Sequence, residues 1–230
     1  MRWFEAARDR RRGRVAVQLQ NKVAQNLDVH VEELLAAAVH KWRRDGWHRF
    51  GKHTGNWTED DCTVQMYRWS KECTRRESRF ALLTVHWEWR NLTPAILHGH
   101  QSAATATRPD LRIEVREEGR SIECKRIASG GSWARKYVHA GLDRFVTGDY
   151  GHAESSGFMV GYAVDEPLPP LVGRINGCIQ SHPNMGAGHV VAQRQHSPPI
   201  LLGDSSHTRS GSHSVSSDIG ISHLLVALDT

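Results

Sequence analysis

A short run of alternating residues limits what this chain can fold into. Residues 111–115, Leu-Arg-Ile-Glu-Val, alternate apolar and charged side chains. A period of two belongs to a β-strand with one buried face. Residues 117–120, Glu-Glu-Gly-Arg, read as a polar turn in which Gly119 supplies a positive φ. Residues 121–127, Ser-Ile-Glu-Cys-Lys-Arg-Ile, follow as a second strand and complete a hairpin. Strand side chains alternate, so Glu123 and Lys125 share one face while Ile122 and Cys124 enter a core. The turn then brings Asp110, at the start of the first strand, toward Glu123 and Lys125.

Two carboxylates and a lysine at one end of a hairpin suit chemistry on a phosphodiester. Cleavage builds negative charge on the phosphate and needs an activated water. Mg²⁺ meets both needs, and it binds through a few carboxylates while keeping several waters. Lys125 would add a fixed positive charge near the reacting phosphate. Burial beside a cation would push its pKa down.

Pro109-Asp110 followed by Glu123-x-Lys125 resembles the PD-(D/E)XK nuclease superfamily, over roughly residues 57 to 165. The resemblance implies an α/β fold with a restriction-endonuclease-like core, a central mixed β-sheet flanked by helices. It implies Asp110 and Glu123 as metal ligands and Lys125 as the residue assisting the attacking water. By the same analogy the backbone carbonyl of Cys124 is a further metal ligand, and Glu59 on the first core helix, or its neighbour Asp60, is another. The implied cofactor is Mg²⁺, with Mn²⁺ as a substitute.

The flanking sequence suits such a sheet. Thr58 and Asp61 form a capping-box variant at the start of a helical segment, where Val64, Tyr67 and Trp69 offer apolar contacts. Residues 80–87 read as a strand and 91–107 as a loop. After the hairpin, Gly130-Gly131-Ser132 offers a turn and a cap for a helix over 133–147, with Tyr137, Leu142, Phe145 and Val146 on its apolar side. Lys136, His139 and Arg144 on that helix could reach a phosphate backbone. Residues 157–164 form an apolar run expected to be a buried central strand. A short helix through Leu171, Ile175 and Ile179, a loop over 183–199 and a final strand from Ile219 to Leu228 complete the reading. His207, Arg209 and His223 either approach substrate or form a structural network, the second being the plainer reading.

Residues 1–50 read as a basic, helical N-terminal extension, with 51–230 as the nuclease domain. Arg8, Arg10, Arg11, Arg12 and Arg14 form a basic cluster, read as a DNA-holding arm or a solvated tail. A helix from about Val29 to Arg44 follows, with Asp28 as its cap, Gly46 at its end, and Val31, Leu34, Leu35, Ala38 and Trp42 on or near one face. The 230 residues carry a formal charge of +5, which favours a polyanionic partner such as DNA. Four cysteines without a disulfide-framework spacing, and no leader or membrane-spanning run, suit a cytoplasmic protein. Phosphate-binding Gly-Lys-Ser/Thr loops, Gly-x-Ser-x-Gly elbows and Cys-x-x-Cys pairs are absent, which argues against an ATPase, a serine hydrolase and a zinc site.

Two function classes follow. One is a Mg²⁺-dependent endonuclease acting on DNA, as the nuclease subunit or effector of a restriction or anti-phage defence system, or in repair or recombination. Its partners would be DNA and either a second copy or other subunits. The other is a nucleic-acid-binding or scaffolding subunit that keeps the fold within a larger complex.

Overall fold

A computed structural model describes residues 17–46, 56–88, 107–130, 132–209 and 217–228. Among them a seven-stranded mixed sheet carries the fold. Its strands are β1 (Thr84–Trp87), β2 (Leu111–Val115), β3 (Glu118–Ala128), β4 (Ser156–Val164), β5 (Ala192–Ser197), β6 (Ile200–Thr208) and β7 (Asp218–Ala227). Their order across the sheet is β1-β2-β3-β4-β7-β6-β5. The two central pairings, β3–β4 and β4–β7, are parallel and the other four antiparallel. β4 is the continuous apolar run Gly-Phe-Met-Val-Gly-Tyr-Ala-Val, and it is covered on both faces, as a parallel strand between helical layers must be.

Helices cover both faces. On one side lie α1 (Leu27–Asp45) and α2 (Glu59–Arg76). Leu27, Val31, Leu34, Leu35, Ala38, Val39 and Trp42 of α1 are buried in the same core as Ile113, Ile122, Cys124, Phe158 and Val160 of the sheet. Each such side chain contributes about 1.5–3 kcal/mol, so α1 is integral to the core that the hairpin joins. The opposite face is covered by α3 (Trp133–Tyr137), which passes through a π turn (Val138–Leu142) into α4 (Asp143–Val146), and by α5 (Leu168–Gln180). Tyr137, Leu142, Phe145 and Val146 are buried there with Ile127, Met159 and Leu225.

Several local expectations need correction. The hairpin turns over two residues, Arg116 and Glu117, and Arg116 (φ 58°) takes the positive φ expected of a glycine. Gly119 instead lies within β3 beneath Arg112, where a Cβ would stand 2.4 Å from the guanidinium. Only Thr84–Trp87 of the 80–87 segment pairs, because Ser78–Phe80 closes a 3₁₀ turn first. The stretch 183–199 holds β5, and Ile200–Thr208 is a further strand that the sequence did not announce. Asn26, not Asp28, stands at the N-cap of α1. Asp28 accepts hydrogen bonds from Ser156 (2.8 and 2.9 Å) and pairs with Arg120, fastening α1 to the sheet. Val64 is exposed, whereas Trp69 is buried and Tyr67 packs against the core as expected, joined on the buried side of α2 by Cys62, Met66 and Cys73. Ser132 stands at the N-cap of α3 without a capping side-chain bond. The arginine cluster, with Arg10, Arg11 and Arg12, lies outside the described residues, as does nearly all of the 91–107 loop.

β5 is exposed on both faces and forms one edge of the sheet. A register shift between Gln193 and Gln195 and the pairing of Arg194 with Glu32 and Asp204 blunt that edge against further strand addition.

Candidate active site

The candidate site forms where β2 stops and β3 continues. Pairing between them ends at Leu111 and Ile122, yet β3 runs on to Ala128 beside β4. The amides of Cys124 and Arg126 therefore face the side that β2 has vacated, and a buried amide must find an acceptor. Carboxylates supply it. Cys124 N donates to Asp110 Oδ2 (2.7 Å), and Arg126 N donates to Glu59 Oε2 (3.1 Å). Glu59 reaches this point because Thr58 and Asp61 close a capping box that starts α2 there. Glu59, rather than its neighbour Asp60, is the acid that makes these contacts.

Lys125 stands at the focus of the acids. Its Nζ lies 2.7 Å from Glu123 Oε1 and 2.9 Å from Glu59 Oε1, and it donates to the Cys124 carbonyl at 2.9 Å. Arg144 approaches from α4, with Nη1 3.5 Å from Glu123 Oε1, and it donates to the Tyr150 hydroxyl. Tyr150 in turn donates to the Arg108 carbonyl (3.0 Å), which braces the chain just before Pro109-Asp110. Gly141 in the π turn completes the packing. A Cβ there would stand 2.6 Å from Met159 Cε and 3.4 Å from Lys125 Cγ, so a bare backbone lets the turn lie against the lysine stem.

The electrostatics follow from burial and proximity. Glu123 is 1 % exposed, and burial with the neighbouring Asp110 charge pushes its pKa up to about 7 despite Lys125 and Arg144. Burial also raises Asp110, against the pull of Lys125 and of the Cys124 amide. Burial alone would lower Lys125, but Glu123, Glu59 and Asp110 together carry it above its ordinary value. The expected downward shift of Lys125 is thus reversed, because three carboxylates outweigh desolvation.

Among the described residues, no three His, Cys, Asp or Glu side chains converge as a group able to hold a metal ion. Mg²⁺ asks for less, one or two carboxylates with waters making up the octahedron. The centre fits that requirement on two observations. Glu123 Oε2 is buried without a hydrogen-bond partner, an orphaned acceptor in a dry place. In addition, among the described residues three carboxylates (Asp110, Glu123 and Glu59) gather about Lys125 and Arg144. The Cys124 carbonyl lies on the same open edge of β3.

Of the other anticipated residues, Lys136 lies over the Trp133 ring, 4.3 Å from its centroid, beside the centre rather than in it. His139 rests against His182. His207 and His223 belong to a buried chain: Tyr137 Oη to His223 Nδ1 (2.8 Å), His223 Nε2 to Ser205 Oγ (2.8 Å), and Ser205 Oγ to His207 Nε2 (2.7 Å). Arg209 donates to the carbonyls of Gly151, His152 and Phe145, tying β6 to the loop after α4. Tyr150 was not anticipated, since nothing in its local sequence sets it apart. No described helix is long and apolar enough to cross a membrane. No protein-family model, curated protein or solved structure matches the chain.

Proposed function

We propose that this protein is a Mg²⁺-dependent nuclease of the restriction-endonuclease-like type, hydrolysing phosphodiester bonds of DNA. The observation that carries the reading is the convergence of Asp110, Glu123, Lys125 and Glu59 at the open edge of β3, with one oxygen of Glu123 buried and unpartnered. Asp110, Glu123 and the Cys124 carbonyl would hold the metal. Bound there, Mg²⁺ would neutralise charge on the phosphate and lower the pKa of its water. Lys125 stays protonated among its carboxylates, so its part is a fixed charge and hydrogen-bond donor at the phosphate rather than a base. Glu59 holds that ammonium in place. Arg144, half-exposed and steadied by Tyr150, offers a second positive charge on the solvent side.

Purified protein with Mg²⁺ or Mn²⁺ is expected to degrade plasmid and linear DNA, and EDTA to stop it. Asp110→Asn should lower the rate at least about a hundredfold with the far-UV circular dichroism unchanged. Retained cleavage in Asp110→Asn would remove this centre from the reaction. DNA binding without cleavage in any metal would instead favour the scaffolding subunit.

The π turn gives a finer test. The Cβ of Gly141→Ala presses on the flexible end of Met159 and stands in ordinary contact with Lys125 Cγ, whereas Gly141→Val adds two further carbons beside that stem. A displacement of Nζ by about 1 Å costs on the order of a hundredfold in rate. Valine is therefore expected to slow cleavage sharply while alanine stays near wild type. Equal rates for the two variants would show that Lys125 is not positioned by this contact.

A further inference from the structure

Beside the acid centre runs a groove of about 380 Å³ lined by Asn56, Trp57, Thr58, Glu59, Arg126 and Trp133. Two of its walls belong to the centre itself. Glu59 holds Lys125, and the backbone of Arg126 is held by Glu59. The floor is rigid, because Trp57 is buried and stacked on Trp42, with ring centroids 5.4 Å apart and planes 16° from parallel. The far wall is Trp133, half-buried at the start of α3. Two cations lie over its ring: Arg126 with Cζ 5.4 Å from the centroid, and Lys136 with Nζ 4.3 Å away.

An aromatic wall, adjacent cations and a slot open to solvent are the parts from which proteins build platforms for unpaired bases. The aromatic face accepts any base, and the cations neutralise the flanking phosphates. Lys136 is exposed, with its ammonium over the Trp133 ring. A base stacked on the ring competes with these cations for its face, and a cation so displaced is left beside the backbone phosphate. A base inside a duplex is already stacked between its neighbours and paired. It enters such a slot only from a single strand or after flipping out.

We propose that the groove between Trp57 and Trp133 takes the base of an unpaired nucleotide flanking the cleaved phosphate, so that single-stranded nucleic acid is the substrate class. This deepens the nuclease reading and rests on it for the position of the phosphate. The stacking site itself is testable without cleavage.

Fluorescence anisotropy of labelled oligo-dT, oligo-U and a blunt hairpin duplex, measured in EDTA, provides the test. Trp133→Ala is expected to weaken binding of the single strands roughly tenfold and to leave the hairpin nearly unchanged. Trp133→Phe, which keeps an aromatic face, should retain most of the single-strand affinity and guards against a folding artefact. Lys136→Ala should reduce the salt dependence of single-strand binding by about one phosphate contact. The ratio of dT to U affinity separates DNA from RNA as the source of the strand. Equal single-strand affinity for the wild type, Trp133→Ala and Trp133→Phe would overturn the proposal, as would an equal loss on single strand and hairpin. If residue 133 governs single-strand binding but no metal supports cleavage, the groove stands and the nuclease reading falls. If Mg²⁺-dependent cleavage occurs and is indifferent to residue 133 on single and double strands alike, the reverse holds.

Discussion

Lys125→Met is expected to be inactive and also less stable by about 3–5 kcal/mol, the usual consequence of removing one member of a buried ionic cluster. The physical reason lies in what remains. Lys125 is only slightly exposed, and it is the cation nearest to both Glu123 and Glu59. Without it, Glu123 and Asp110 face each other with Arg144 as the remaining cation beside Glu123 among the described residues, and Arg144 is half-exposed. Urea unfolding at neutral pH measures the loss. The double variant Lys125→Met/Glu123→Gln removes the stranded charge as well, so it should regain much of the stability while staying inactive. Additive losses in the two single variants would show that Lys125 and Glu123 are not energetically coupled. Cleavage at the wild-type rate by Lys125→Met would place the chemistry elsewhere.

A second large effect is expected in acid, at the buried chain of Tyr137, His223, Ser205 and His207. Burial pulls the His223 pKa down to about 3, and burial with the nearby His189 and His182 pulls His207 down to about 4. Both lie below the ordinary value of about 6.5. Between pH 6.5 and about 4, the unfolded chain therefore takes up protons on both imidazoles that the folded chain refuses. Stability falls as pH falls through that window, by about 1.4 kcal/mol per pH unit for each residue. Glu123 works in the opposite sense. Its pKa in the folded protein, about 7, stands above the ordinary value, so its contribution is lost as pH rises from about 4.5 to 7. A difference measurement isolates the histidine. His223→Phe should cost about 1–3 kcal/mol at pH 8, since Tyr137 Oη loses its partner. Its stability should also fall less steeply between pH 6.5 and 4 than that of the wild type. Parallel stability–pH curves would show that His223 does not carry the acid sensitivity.

Legibility in the sequence tracked how local the cause of each feature was. The hairpin could be read from alternation and β4 from an unbroken apolar run, each written into consecutive residues, and α1 and α2 because their apolar stripes and the Thr58–Asp61 cap lie within a few turns. β5 escaped notice because an edge strand exposed on both faces has no alternation to show. β6 escaped because its later inward positions, Ser205 and His207, are polar, bonded to each other and, through Ser205, to His223 on the neighbouring strand. The same distinction governs the site. Glu123 and Lys125 are two residues apart on one strand, so their shared face followed directly. Glu59 was legible only through its family resemblance, because the contact spans 66 residues. Tyr150, which supports both Arg144 and the Arg108 carbonyl, comes from a turn whose position only the folded chain defines.

The early end of β2 carries a consequence for how this protein can vary. The centre is a missing stretch of sheet, since two amides of β3 that a longer neighbour would have claimed are held by carboxylates instead. Extending β2 backward by one more pair of residues would seat a peptide bond where Asp110 now accepts, and the ladder would zip shut over the vacancy. Insertions are expected to be better tolerated at the Arg116–Glu117 tip than at Pro109-Asp110, where a gain in sheet closes the gap in the ladder. In this fold the acid centre is kept open by the point at which a strand is made to stop.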